Sequence, residues 1–499
     1  MRLVSRPGAI VLLAATLGGC AVGPGYHPEP VVPRGTRVGS GSRSDSAASF
    51  FDSLARARAA DTGAARGAVL PPLRPIAADS IADLAWLDIL HDSTLERLVA
   101  TALVQNRDLA LAEARIREFR ALAGVAQAPL FPSITANADA LKARIIIGSN
   151  PAISYNAWSV TGGVAWELDL WGRIRRGVQA ANADVAAREA GARAAVLSLV
   201  SDVATGYLTL LELDQERDIS ERTLGSRTAT LQLARQRYAR GVISELDVRQ
   251  FEAQAAAPAA VLAEVERRRA VQEHALSVLI GQAPTTIPRG GSLEQAARGV
   301  IVPDSLPSTL LDRRPDVREA ERNYAAANAR VGAAIAARLP TFSITGSAGT
   351  QAANTANLFG PGTDIYQLQA GISLPLFTGG RLVNEQRAAR ARAEQARAAY
   401  EQTVLTALQE AGDALAGARS ARDQVTAQVT QTAALRRALT LARARYQTGV
   451  ASYLEVLDAE RSLFVAELAL SQAELGQLTA AVQLYKALGG SWTGAPAGR

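Results

Sequence analysis

The chain has 499 residues, 48% of them apolar but only 5% aromatic, with 53 basic and 47 acidic residues and a formal net charge of +6. That balance suits long Ala- and Leu-rich helices packed side by side better than one compact aromatic core. With no basic block interleaved with aromatics it excludes a nucleic-acid footprint. One cysteine excludes an internal disulfide, and His27, His91 and His274 are too scattered for metal-ligand spacing, so neither an enzyme nor a cofactor site is expected.

Residues 1–19 read as a signal peptide. Arg2 and Arg6 precede a short apolar run from Ala9 to Leu17, too short to span a bilayer. The run ends in Leu17-Gly18-Gly19-Cys20, which resembles a bacterial lipobox, so Cys20 is the expected lipidation site. Ala21 follows rather than Asp, which favours the outer membrane by the sorting rule this pattern resembles. An ordinary signal peptide with an incidental cysteine is the alternative. Residues 20–80 are expected to form a lipidated tether, since from about 34 to 79 the chain is rich in Gly, Ser, Ala, Arg and Pro without sustained periodicity.

From there the chain repeats itself. Asn106-Arg107-Asp108-Leu109 answers to Arg314-Pro315-Asp316-Val317, Pro132 to Pro340, and Gly172-Arg173 to Gly380-Arg381. Tyr238 and Gly241 answer to Tyr446 and Gly449, and Gly281 to Gly489, every pair at an offset of 208. A shared offset implies a duplicated structural unit. The first repeat is assigned to 81–282 and the second to 313–490, joined by a linker at 283–312 and followed by a tail at 491–499.

Each repeat opens with a helical stretch, near 92–128 and near 314–338. Two alternating strands follow. In the first repeat Ile134, Ala136, Ala138 and Ala140 alternate with polar residues, then Trp158, Val160, Val164, Trp166, Leu168 and Leu170. In the second, Phe342, Ile344 and Ala348 alternate, then Tyr366, Leu368, Ala370, Ile372 and Leu374. These runs of roughly 8–13 residues bracket the ~9–11 that a tilted strand needs to cross a bilayer. Hairpins packed on a soluble core give the same alternation; the lipobox and the paucity of other apolar partners favour a barrel. Four strands cannot close one, and open edges are not viable in lipid, so several chains are required. Three copies would supply twelve strands.

A very long helical stretch comes next in each repeat, then a Gly-centred turn and a further helix. From Arg173 to Arg240 is about 68 residues, or ~100 Å if helical. Pro258 lies in the helix after the first turn and should kink it, whereas the offset places Ala466 in the second repeat.

The segments CAVGPGYHPEP from Cys20, LVQNRDLALAEARI from Leu103, WELDLWGRIRR from Trp166, RRPDVREAE from Arg313, LPLFTGGRL from Leu374, RYQTGVASYLEVLDAERSLF from Arg445 and LYKALGGSW from Leu484 carry a joint resemblance. Together they resemble the TolC-like outer-membrane efflux channels, most closely the lipoprotein branch that partners proton-driven resistance-nodulation-division pumps. The resemblance implies an α+β fold: a homotrimer with a twelve-strand outer-membrane β-barrel, continuous with a periplasmic α-helical coiled-coil barrel, and a mixed equatorial domain. It implies a passive exit duct that works with a periplasmic adaptor protein and an inner-membrane transporter, is held in outer-membrane lipid, and binds no nucleic acid. By the same resemblance Leu454 forms an apolar gate ring and Asp458 a carboxylate ring. Glu455, three residues before Asp458, can share its helical face. Solvated surface acids are the other reading of that pair. The resemblance also pairs Tyr446 with Asp247 as an inter-coil latch, and places adaptor docking at the turns of Gly241 and Gly449. Some relatives carry an arginine where this chain has Ala451, so that part of the latch is absent or replaced. A protein-secretion exit duct and a non-channel coiled-coil lipoprotein are the alternative functions.

Overall fold

The computed structural model describes residues 22–24, 37–38, 92–146, 152–297, 306–307 and 313–490. The signal segment 1–19, Cys20, the tail 491–499, most of the tether and part of the linker lie outside the described residues.

After a two-residue strand β1 (Arg37–Val38) come α1 (Ser93–Gln105) and α2 (Arg107–Gln127). The single helical stretch expected near 92–128 is thus two helices. Asn106, with extended backbone, ends the first, and its side-chain oxygen accepts from the Asp108 and Leu109 N–H groups (2.9 and 3.1 Å) to start the second. Strands β2 (Ser133–Ile145) and β3 (Ile153–Leu168) form a hairpin, followed by α3 (Arg173–Ala239) and α4 (Glu245–Leu279). The connection carries α5 (Leu293–Ala297) and β4 (Leu306–Pro307), which pairs with β1. The second repeat runs α6 (Pro315–Ala336), β5 (Thr341–Ala352), β6 (Asp364–Ser373), α7 (Arg381–Gln447) and α8 (Tyr453–Ala487).

The 208-residue offset holds in three dimensions. α3 and α7 are both 67 residues long, and α4 and α8 both 35. The turn glycines match in backbone angle: φ is 80° and 81° at Gly172 and Gly380, 73° and 76° at Gly241 and Gly449, and 77° at both Gly281 and Gly489. The left-handed conformation at Gly172 and Gly380 lets strand swing into helix without a Cβ clash. A tertiary contact repeats as well. The Asn106 amide donates to the Leu279 carbonyl (2.9 Å), and at the equivalent place the buried Arg314 guanidinium donates to the Ala487 carbonyl (3.1 Å). Each satisfies an orphan carbonyl at the end of the shorter coil helix.

The four long strands form one antiparallel sheet in the order β2-β3-β5-β6. Its register aligns the alternation across strands: Ile134, Val164, Gly346 and Leu368 lie in one row, and Ala136, Gly162, Ala348 and Tyr366 in the next on that face. The other face carries rows such as Thr135, Gly163, Ser347 and Gln367. Two predicted strand ends are corrected. β3 stops at Leu168, short of Leu170, because Asp169 turns its carboxylate to the Ile174 and Arg175 N–H groups (3.0 and 2.8 Å) and caps α3. β6 stops at Ser373, short of Leu374, which precedes Pro375. The first hairpin also extends past Ala140 to Ile145. There the apolar residues change face, so the alternation that marks the strand to Ala140 does not continue in phase.

Pro258 sits buried inside α4, which continues as one helix through it. The main core joins α1, α3, α4, α8 and the connection: Leu95, Leu98, Tyr207, Leu210, Leu276, Leu293, Leu478 and Tyr485 are among its buried members. Tyr207 is fully buried; its hydroxyl donates to Asp92 (2.7 Å) and accepts from the Gly290 N–H (2.8 Å), while Arg289 bridges Asp214 and Glu273 (2.7 and 2.6 Å). Deeper along α3, the buried Glu212 has its carboxyl pushed up by burial and by neighbouring Glu216, which Arg268 holds at 2.9 Å.

Two measurements check these contacts. A Cβ at Gly281 would lie 2.3 Å from the Gln105 carbonyl oxygen in a left-handed backbone. Gly281→Ala should therefore destabilise the protein by roughly 2–4 kcal/mol, read as a lowered thermal midpoint in detergent. Gly124→Ala, in a helix with open space around it, should leave the midpoint unchanged or raise it. The raised Glu212 carboxyl binds its proton more tightly in the folded than in the unfolded chain. Its contribution therefore makes stability fall as pH rises from the ordinary glutamate range through the raised value. Glu212→Gln cannot ionise and should flatten that decline in a pH series of thermal midpoints.

Candidate channel gate

The turn between α7 and α8 is built by backbone chemistry. Gly449 donates to the Tyr446 carbonyl and Val450 to that of Arg445 (both 3.0 Å), closing the helix through a left-handed residue. The turn between α3 and α4 repeats this: Gly241 donates to Tyr238 and Val242 to Arg237 (2.8 and 2.9 Å). Both turns lie at the end of the coils farthest along the chain from the sheet.

Past these turns the repeats diverge. In the first, Ser244 and Asp247 form a capping box: Asp247 accepts from the Ser244 N–H (2.9 Å) and hydroxyl (2.7 Å), and Ser244 accepts from the Asp247 N–H (3.3 Å). Those bonds hold the Asp247 carboxyl below the usual range. The offset maps this pair onto Ser452 and Glu455. There the Ser452 side chain makes no cap bond, and the Glu455 carboxylate lies 3.6 Å from Arg445.

Three predicted gate residues fall on one face of the first turns of α8. Leu454 is 59% exposed, and Glu455 and Asp458 are exposed beside it, while Val456 and Leu457 point into the coil packing. Val456 packs with Leu439 and Ala442 of α7. Asp458 accepts from Arg461 (2.7 Å). Exposed pairs of this kind are weak, so both carboxylates remain available to solvent and ions.

The predicted latch residues are not joined to each other. Asp247 is engaged by its capping box, and the Tyr446 hydroxyl accepts from Arg237 of α3 (2.9 Å). Around this contact the Tyr446 ring meets Tyr453 edge-on at 4.9 Å, and Tyr453 stacks obliquely on Phe251 of α4 at 4.8 Å. Burial and the Glu460 carboxylate push the Tyr453 phenol up to about 12. A second tie lies further in: the buried Arg227 of α3 donates to the carbonyls of Gln254 (2.8 Å) and Glu460 (3.4 Å) and sits over the Phe464 ring at 5.4 Å. Sequence reasoning missed Arg227 and Arg237, because an arginine inside a long mixed-charge helix carries no local signature. The Ser-x-x-Asp spacing of the capping box was readable.

Within each coil pair the ion pairs repeat. Arg235 with Glu252 (2.9 Å) corresponds to Arg443 with Glu460 (2.7 Å). The scaffold is therefore duplicated, whereas the inter-coil contacts and the α8 stripe are particular to one repeat each.

The profile described as outer membrane efflux protein matches residues 98–282 and 306–490, two segments whose ends are again offset by 208. The solvent efflux pump outer membrane protein SrpC of Pseudomonas putida is 37% identical over 414 residues, covering 81% of this chain and 87% of that protein. Outer membrane protein OprJ of Pseudomonas aeruginosa is 34% identical over 501 residues, covering 97% and 95%. Among solved structures, the outer membrane protein VceC of Vibrio cholerae superposes with a TM-score of 0.74 at 30% identity, over 82% of this chain and 99% of that one. The open-state MtrE outer membrane channel of Neisseria gonorrhoeae gives 0.74 at 31%, over 83% and 93%. The chain belongs to the outer membrane efflux protein family, as an outer-membrane efflux channel.

Proposed function

We propose that three copies of this chain close their four-stranded sheets into a twelve-strand barrel. Their coils would continue it as a periplasmic tunnel, the passive exit duct of a tripartite efflux pump. The observation that carries this reading is the sheet itself: four strands in register, one face apolar, and two edges without partners among the described residues. On β3 the apolar face runs from Leu168 to Trp158. That is about 33 Å along the strand at ~3.3 Å per residue, or about 25 Å along the membrane normal at a ~40° tilt. Trp166 and Trp158 stand near its two ends, where aromatic girdles belong. Nothing in such a duct breaks a bond or needs a cofactor; the pump supplies the energy.

Cys20 as the lipid-bearing residue fits the docking of its neighbours. The Val22 N–H donates to the Trp171 carbonyl (3.0 Å), Arg176 donates to the Gly23 carbonyl (3.2 Å), and Gly23 crosses Gly332 so closely that a Cβ would meet its Cα at 2.5 Å. Residues 22 and 23 thus sit where strand turns to helix, at the edge of the apolar band, within reach of the leaflet a lipid on Cys20 would enter.

The gate we assign to Leu454, Glu455 and Asp458, repeated by threefold symmetry around the tunnel tip. The latch is Arg237 with Tyr446, backed by Tyr453 and Phe251, in place of Tyr446 with Asp247. Its guanidinium also supplies the cation that the chain lacks at Ala451. The turns at Gly241 and Gly449 are the docking points for the adaptor, and the adaptor links the duct to the inner-membrane transporter.

Planar-bilayer recordings test both assignments. Glu455→Ala with Asp458→Ala should raise single-channel conductance and lower cation preference, since Arg445 and Arg461 are then left without their acids. Unchanged conductance and selectivity would remove the gate assignment. Arg237→Ala or Tyr446→Phe should each raise the open fraction. One exposed hydrogen bond is worth about 0.5–1 kcal/mol, and three such bonds per tunnel would shift the closed–open balance by roughly ten- to a hundredfold. Asp247→Asn should leave that balance nearly unchanged, the opposite of what a Tyr446–Asp247 latch requires.

A further inference from the structure

The first hairpin outreaches the rest of the sheet, and its tip is inside out relative to its base. β3 and β5 last pair at Trp158 with Ala352, and β5 and β6 at Thr350 with Asp364, but β2 and β3 stay paired to Ile145 with Ile153. Below Ala140 the outward face of β2 carries Ile134, Ala136 and Ala138. Beyond it the same face carries Lys142 and Arg144, opposite Asn156 and Ser154. The apolar residues of the tip, Leu141, Ile145, Ile153 and Tyr155, move to the inward face. A one-residue change of phase thus places two cations directly above the apolar band.

Their height can be worked out from strand geometry. Lys142 lies two residues past Ala140 and Arg144 four, about 5 and 10 Å along the normal at ~3.3 Å per residue and ~40° tilt. The polar headgroup layer of one leaflet is about 5–8 Å deep. Lys142 falls inside that layer, and the flexible stem of Arg144 can bring its guanidinium down to it. Both side chains are exposed, and neither makes an ion pair among the described residues. Within one chain the only carboxylate on the outward face of the described strands is Asp364, on the far edge strand β6, about 14 Å across the sheet at ~4.8 Å per strand and in the row of Ala138, four residues below Lys142. Barrel closure would bring the next copy's β6, with its own Asp364, beside β2 at that lower level of the apolar band. Asp139 is on the opposite face, beside Ser159.

We propose that Lys142 and Arg144 form a binding site for the anionic phosphate headgroups of outer-leaflet lipid, fixing the height and tilt of the barrel at its distal rim. The inference rests on the reading of the sheet as a barrel wall. The phosphodiester of a lipid supplies acceptors at the depth of both cations, and its acyl chains lie along the apolar band that continues below them. The hydroxyl and amide of Ser154 and Asn156 on the adjacent strand offer further hydrogen bonds to the same group.

Native mass spectrometry of the full-length, detergent-solubilised complex, titrated separately with phosphatidylglycerol and phosphatidylcholine, reads the site directly. The parent should retain phosphatidylglycerol in preference to phosphatidylcholine. Each cation removed should weaken the anionic lipid by about fivefold, so Lys142→Gln with Arg144→Gln should abolish most of the preference. The charge-keeping pair Lys142→Arg with Arg144→Lys should preserve it. Conductance of each variant in planar bilayers reports that its barrel has formed. A conducting double variant that still prefers phosphatidylglycerol as the parent does overturns the lipid site and leaves the duct standing. A parent that neither inserts nor conducts overturns the duct and this site with it. Displacement of the lipid by inorganic phosphate, well beyond chloride at equal ionic strength, would make this a free-phosphate site and overturn the lipid assignment.

Discussion

An unpaired strand edge cannot be left in hydrocarbon, and among the described residues there are two of them, on β2 and β6. Each exposed N–H and C=O there would cost several kcal/mol with no water to bond. The apolar outward face drives the sheet into lipid; the edges then demand copies of the same sheet. Almost everything else follows from that demand. The long helices leave the sheet at fixed positions because Gly172 and Gly380 take the same left-handed angle and Asp169 caps α3. Closing the sheets therefore also closes the coils around one axis. A pore is the geometric consequence of satisfying backbone hydrogen bonds in lipid, carried down two helix pairs per chain.

Duplication supplies the scaffold and divergence supplies the function. The helix-end contacts at Asn106 and Arg314 and the intra-coil pairs Arg235–Glu252 and Arg443–Glu460 are preserved at the 208-residue offset. At the coil tips the preserved spacing is put to different uses. Asp247 is spent on capping its own helix, while Glu455, its equivalent, is free of the cap and stands in an exposed stripe with Leu454 and Asp458. Arg227 and Arg237 have no arginine counterparts at 435 and 445 that bridge back across the coils in the same way: position 435 is Leu, and Arg445 faces Glu455. Near the turns the two helix pairs meet through these few contacts, whereas the core around Tyr207 ties α3 and α4 to α8 through Leu478, Val482 and Tyr485.

Much of this was legible in the sequence because it depends on periodicity and punctuation. The alternation from Ile134 to Ala140 and from Trp158 to Leu168, the turn glycines and the repeat offset all survive in the structure with the spacing read from the chain. Where reading failed, a side chain had changed its job. Asn106 breaks a helix by capping the next one, and Asp169 ends a strand by capping the helix α3 that follows it. The phase change after Ala140 hid the end of β2 from Leu141 to Ile145, since a period-two pattern is lost when one face hands its apolar residues to the other. Pro258 stands inside α4, and the helix continues past it. The inter-coil arginines were invisible for a different reason: their partners are more than 200 residues away or are backbone carbonyls, and neither leaves a local pattern.

The claim that the sheet completes itself with copies of the chain is tested most directly by linking its two edges. Cys20 is the only native cysteine and the proposed lipid would take up its sulfur, so Thr135→Cys on β2 and Gln367→Cys on β6 put the only free thiols on the two edge strands, in the same row of the polar face. Treating outer membranes with a short bis-maleimide should then give a ladder of cross-linked species on denaturing gels that ends at three chains. Bands that stop at one chain, with both thiols consumed, would contradict the account.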